Sequence, residues 1–168
     1  MTQELLSGLN GYDIPCRHTI QGGESMVCLI THGFGSSKDS PTAQLLAGEL
    51  PRHGIGTLAL DLPAHGDSPV DGDALSIRHC LDDLARAEAR ALELAPGARV
   101  VYFSSSFGAY LNLIYLSTRP HRGTRSFLRS AAVEMPLLFH TPTPEQAEEL
   151  ARQLCELNRE RQAVEQMG

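Results

Sequence analysis

Residues Phe103–Tyr110 read FSSSFGAY, three hydroxyl residues set between an apolar run and a glycine. The run before them, ARVVYFSS (98–105), is short and largely apolar, the pattern of a buried strand. The run after them, FGAYLNLIYLSTR (107–119), reads as a helix that Pro120 ends. A strand that passes into a helix within one residue turns sharply, and the residue at the apex projects its side chain clear of the sheet. Ser106 occupies that apex. Ser104 and Gly108 are the small residues two positions to either side that let neighbouring chains pass closely. The usual spelling of such a turn is G-x-S-x-G, and here the first glycine is a serine. A plainer reading competes, in which Ser104–Ser106 are a polar strand end and an N-cap.

The chain on either side supports an alternating pattern. MVCLIT (26–31) and IGTLALD (55–61) are short apolar runs bounded by turn residues, and both read as buried strands. Between them SPTAQLLAGELPRHG predicts a helix capped by Ser40, with Pro41 at its first position and an apolar face of Leu45, Leu46 and Leu50. ALSIRHCLDDLARAEARALELA predicts a longer helix whose stripe is Ile77, Leu81, Leu84, Ala85 and Leu92. TRSFLRSAAVEMP (124–136) reads as a fourth strand, and the first 25 residues as one or two short strands with turns. Strands alternating with helices imply right-handed crossovers, so the predicted fold is α/β, a mostly parallel sheet with helices on both faces. The tail starts a further helix, with Thr143 as N-cap, Pro144 at N1 and Gln146 completing a capping box. Its stripe is Ala147, Leu150, Leu154 and Leu157.

Composition narrows the function. The 168 residues suffice for one domain with a core, and the net charge of −6 leaves no basic footprint for nucleic acid or an anionic membrane. No apolar run reaches the roughly 18 residues of a membrane span, and the N-terminus lacks the pattern of a secretion signal, so a cytoplasmic location is expected. Cys16, Cys28, Cys80 and Cys155 are far apart and read as reduced core thiols. The histidines form no ligand spacing, so no metal is expected.

Ligands and catalytic groups gather at the carboxyl ends of parallel strands. Two more loops fall there. In THGFGSSKDS (31–40), glycines flank Phe34 and permit a turn that aims its amide into the site. With the Phe107 amide at the start of the next helix, that makes a two-donor oxyanion hole, worth about 3 kcal/mol per donor. A phosphate loop is the competing use, but GFGSSK fits neither GxxxxGK[ST] nor GxGxxG. In DLPAHGDS (61–68), Asp61, His65 and Asp67 read better as loop-stabilising groups than as metal ligands, with Asp67 and Ser68 holding the turn.

Taken in order, HGFGSSKDS, LALDLPAHGDSP and FSSSFGAY resemble the oxyanion loop, the D-x-P-G-H-G-x-S segment and the nucleophile elbow of the α/β-hydrolase superfamily, in particular its serine esterases and acyl hydrolases. The resemblance covers about Met26 to Pro136, and Ala64 stands where glycine is usual. It implies Ser106 as nucleophile, the Phe34 and Phe107 amides as oxyanion hole, a small ester or acyl substrate and no cofactor.

One departure is plain. The family's triad runs serine, acid, histidine along the chain. No aspartate follows Ser106, and the histidines after it are only His121, expected at the surface beyond the helix, and His140. The sequence therefore reads as C-terminally truncated, with a core over 1–136 that lacks the last strands and the start of a helical cap over 137–168. Glu134 and His140 are the makeshift acid and base that remain. Without a base the serine loses several orders of magnitude in rate. The alternative is a non-catalytic fragment that forms a homodimer through its open sheet edge or its tail helix.

Overall fold

The computed structural model describes residues 1–132, and these form six strands and three α-helices. The strands are β1 (Thr2–Ser7), β2 (Asp13–His18), β3 (Met26–Thr31), β4 (Ile55–Leu60), β5 (Arg99–Ser105) and β6 (Gly123–Arg129). The helices are α1 (Pro41–Glu49), α2 (Ile77–Leu94) and α3 (Phe107–Thr118). The sheet order is β1-β2-β4-β3-β5-β6. β1 and β2 form an antiparallel hairpin and β2 meets β4 antiparallel, whereas β4, β3, β5 and β6 run parallel. The sheet is mostly parallel, as the alternation of strands and helices predicts.

The topology places the site. From β3 the chain crosses to β4 on one side, and after β4 it returns to β5 on the other. That reversal opens a crevice above the carboxyl ends of β3 and β5, where Thr31 and Ser104 sit side by side in register.

The inner parallel strands β3, β4 and β5 are largely buried on both faces. On one, Cys28, Ile30, Ala59 and Val101 pack with Ala43 of α1. On the other, Tyr102 and Tyr115 of α3 meet with ring centroids 6.2 Å apart, and both hydroxyls donate to the Glu88 carboxylate of α2, at 2.7 and 2.9 Å. Glu88 also accepts from the Arg122 amide, and Gly123 N–H donates to the Tyr102 hydroxyl at 3.0 Å. One buried carboxylate thus ties α2, β5 and α3 to the first residue of β6.

Several expected details change. Leu45 is 64% exposed, because the inward stripe of α1 runs through Ala43, Leu46 and Leu50 at spacings of three and four. The Ser40 cap is as expected, its hydroxyl accepting from the Ala43 amide at 3.2 Å. In α2 the expected Leu81 and Leu84 are buried, with Cys80, Ala87 and Ala91 beside them; Ile77 is exposed and Ala85 and Leu92 are only half-buried. β6 ends at Arg129, short of the predicted strand, where Ser130 takes a positive φ of 51°. Cys16, Cys28 and Cys80 are buried free thiols, and burial pushes Cys28 and Cys80 up to about 12. The expected tail helix, the cap over 137–168 and Cys155 lie outside the described residues. No helix among the described residues is long and apolar enough to cross a membrane.

α2 also buries Asp83, fully covered, against the hairpin turn, where the Tyr12 hydroxyl donates to it at 2.9 Å. Burial raises its pKa from the ordinary 3.8 to about 6. The folded state therefore holds the Asp83 proton more tightly than the unfolded chain, and stability contributed this way is lost as pH rises. Thermal melts of Asp83→Asn against wild type should show the wild-type advantage shrinking between pH 3.8 and about 6. A difference that is flat across that window would mean that Asp83 is not desolvated.

Candidate active site

Ser106 adopts φ +50° and ψ −116°, outside the ordinary regions for a residue with a Cβ. The surrounding structure holds it there. Its amide donates to the Arg129 carbonyl at 2.9 Å, and its carbonyl accepts from the Ala132 amide at 3.3 Å and the Tyr110 amide at 3.1 Å. Strain of this kind costs about 1–3 kcal/mol and persists where neighbours over-determine it. The result is an exposed serine at the head of α3, at the C-terminal edge of β5.

The neighbouring positions need small residues for reasons the structure makes specific. A Cβ on Gly108 would fall inside the van der Waals envelope of the His32 carbonyl oxygen and 2.7 Å from that of Thr31. A Cβ on Gly33 would lie 3.2 Å from the Ser106 Cβ and 3.4 Å from the Ser105 carbonyl. The oxyanion-loop candidate thus passes directly over the elbow. Ser104, in place of the usual glycine, is wholly buried, and its hydroxyl has no hydrogen-bond partner among the described residues.

Phe34 and Phe107 are brought together, their rings 6.1 Å apart in an edge-on pair. Phe34 is 58% exposed and Phe107 is buried. The Phe34 ring also packs on His65, which in turn lies 5.2 Å from the ring of His32.

His32 is a structural group. Its Nε2 accepts from the Leu62 amide at 3.1 Å, which leaves the proton on Nδ1 to be donated to the Gly33 carbonyl at 2.7 Å. Burial pushes its pKa down to about 4, so it is neutral and both ring nitrogens are committed. It pins the glycine loop to the segment after β4 and offers no lone pair to Ser106.

The two loops are joined more strongly by charge, through a residue that sequence reasoning passed over. Lys38 is buried, and its ammonium donates to Asp61 at 3.0 Å, Asp39 at 2.9 Å and Asp67 at 2.6 Å. Burial alone would lower its pKa, but the bonds to Asp67, Asp39 and Asp61 outweigh it and hold the amine well above its usual range. Asp61 accepts in addition from the Lys38 and Asp67 amides, at 2.7 and 2.9 Å, and Arg17 of β2 reaches Asp39 at 2.7 Å. Asp61 thus has the loop-stabilising role the sequence predicts, whereas the side-chain to backbone bonds expected of Asp67 and Ser68 are not what holds the turn. Asp67 spends its carboxylate on Lys38, and Ser68 contributes only an amide bond to the His65 carbonyl, at 3.0 Å. Gly66 is required because a Cβ there would overlap the Asp61 carboxylate. Ala64, where glycine is usual, has φ +63°, a strained conformation for alanine.

His121 is exposed as expected, its ring lying against Tyr102 and Tyr115. His140 and Glu134 lie outside the described residues.

The doubly wound sheet and the serine at a strand–helix elbow define an α/β hydrolase. Residues 23–164 match the family described as serine aminopeptidase, S33, and the chain belongs to that family. No curated protein matches. Among solved structures, the mouse α/β hydrolase domain-containing protein 10 is similar at 14% identity and a TM-score of 0.68, over 90% of this chain and 59% of its own. The esterase EaEST from Exiguobacterium antarcticum is similar at 17% identity and a TM-score of 0.66, over 78% and 46%. Est1E from Butyrivibrio proteoclasticus, solved with ferulic acid bound, is similar at 16% identity and a TM-score of 0.62, over 68% and 47%. The chain thus spans about half the length of the structures it resembles.

Proposed function

We propose that the chain carries the nucleophile half of a serine hydrolase acting on small ester or acyl substrates. Ser106 Oγ attacks the carbonyl carbon, and the Phe34 and Phe107 amides receive the charge that develops on the carbonyl oxygen. The tetrahedral species collapses, the alcohol leaves, and water releases the acyl group from Ser106. The observation that carries this reading is the positive φ of Ser106, a strained conformation that a plain N-cap does not need. The tight space between Gly33 and Ser106, in which a Cβ on Gly33 would lie 3.2 Å from that of Ser106, and the pairing of Phe34 with Phe107 support it.

The proton from Ser106 needs an acceptor. His32 is committed to its own hydrogen bonds, so the base comes from elsewhere, either Glu134 and His140 acting together or a further segment or partner. Incubation with p-nitrophenyl acetate tests the reading. Wild type should gain one acetyl group on Ser106, and Ser106→Ala none. Equal acetylation of the two would exclude Ser106 as nucleophile.

A second reading rests on β6, which forms one edge of the described sheet with Phe127 56% and Leu128 38% exposed. Such an edge pairs readily with another strand. In this reading the chain is a non-catalytic fragment that dimerises there. Sedimentation across a dilution series would show a dimer that persists, and a monomer at all concentrations would exclude it.

A further inference from the structure

Beside Ser106 lies a cavity of about 350 Å³ whose lining includes Ser36, Ser40, Thr42, Ser105, Ser106 and Arg129. Among the described residues that line it, Arg129 is the single charged side chain and none is acidic. In a chain of net charge −6 the described lining next to the candidate nucleophile therefore carries a positive charge. His32, also in the lining, is neutral for the reason given above and adds no charge.

Arg129 is held beside the elbow by its main chain. It pairs in register with Ser105, and its carbonyl takes the Ser106 amide at 2.9 Å. Its side chain is exposed, and its one polar contact among the described residues is a long bond to the Thr42 hydroxyl at 3.4 Å. No carboxylate of the described residues pairs with it. Arg17, Arg90 and Arg119, by contrast, are each spent on a carboxylate at 3.0 Å or less. A guanidinium fork with no carboxylate partner among the described residues, lining a cavity that hydroxyl groups and a nucleophile share, matches a carboxylate in size and geometry.

We propose that Arg129 is a specificity-determining residue that selects acyl substrates bearing a carboxylate a few bonds from the reacting ester. The inference rests on the hydrolase reading of Ser106 and adds the substrate class. The carboxylate takes both forks of Arg129, with the cavity hydroxyls as further donors, and this sets the ester carbonyl over Ser106. A neutral ester of the same shape leaves the guanidinium facing it without a partner.

Two probes separate the cases, monomethyl succinate with one carboxylate and dimethyl succinate with none. Binding is measured by titration on the full chain, in wild type and in Ser106→Ala so that turnover does not interfere. The monoester should bind about tenfold more tightly than the diester in both, the scale of one charge-assisted hydrogen-bonded pair, with the preference shrinking as salt is added. Arg129→Gln should abolish the preference, and Arg129→Lys, which keeps the charge and loses the fork, should retain part of it. Arg129 is exposed, so both variants should fold, and a melting curve checks this. Equal affinity for the two esters, or a preference that survives in Arg129→Gln, would overturn the proposal. If the Arg129-dependent preference holds while Ser106 takes up no acyl group, the anion site stands and the hydrolase reading falls.

Discussion

Lys38→Met is expected to cost about 3–5 kcal/mol of stability, the range for breaking a buried ion pair from one side. The size follows from Asp61. Its side chain has no exposure and Lys38 Nζ is its one cationic partner among the described residues, so methionine leaves there a buried carboxylate with two amides to solvate it. The contact with Asp67 adds little, because that carboxylate is 68% exposed and water replaces the lysine there. Urea titration of wild type and variant measures the difference. The loss should also reach the site, since the same ammonium clamps the loop that carries Gly33 and Phe34 to the segment after β4. Acylation of Ser106 should slow in the variant at temperatures where it remains folded. A cost below about 1 kcal/mol would mean that the turn opens and lets water reach Asp61.

Gly108→Ala should be comparably severe for a different reason. The atoms that its methyl group would meet are the backbone carbonyls of His32 and Thr31, and neither can rotate out of the way. The helix must instead lift from β3 and carry Ser106 with it. Overpacking of this kind costs about 1–3 kcal/mol, and a clash with main chain belongs at the top of that range. The melting temperature should fall, and Ser106 should lose its acylation even in the folded fraction. Alanine at Gly48 is the control, since a Cβ there meets nothing within 4 Å. Equal behaviour of the two variants would show that α3 does not depend on that close approach.

The elbow and the sheet were legible because they are written in local pattern. Short apolar runs, Pro41 and Pro120, and the Ser106–Gly108 spacing each act within a few residues, and α1, β3, β5 and α3 follow them. What the pattern missed was long-range. Leu45 fits an apolar stripe in sequence, but the tilt of α1 is set by Ala43 against Cys28 and Ile30, and that contact spans parts of the chain no local window joins. Asp83 and Glu88 look like the solvated face of α2, yet each is buried because a tyrosine hydroxyl from another element meets it. Lys38 had a signal, a lone cation in a glycine–serine loop followed by aspartates at 39, 61 and 67, but nothing in the sequence says which of them converge. Arg129 carried no signal at all. Only the register of β6 on β5 sets it beside Ser106.

The central claim is that Ser106 is a nucleophile held ready at a strained elbow. Intact mass after incubation with a fluorophosphonate tests it most directly, with Ser106→Ala treated in parallel. The account predicts a single adduct on the wild-type chain and none on the variant. A well-folded wild-type chain that takes up no adduct, or a variant that takes up the same one, would contradict it.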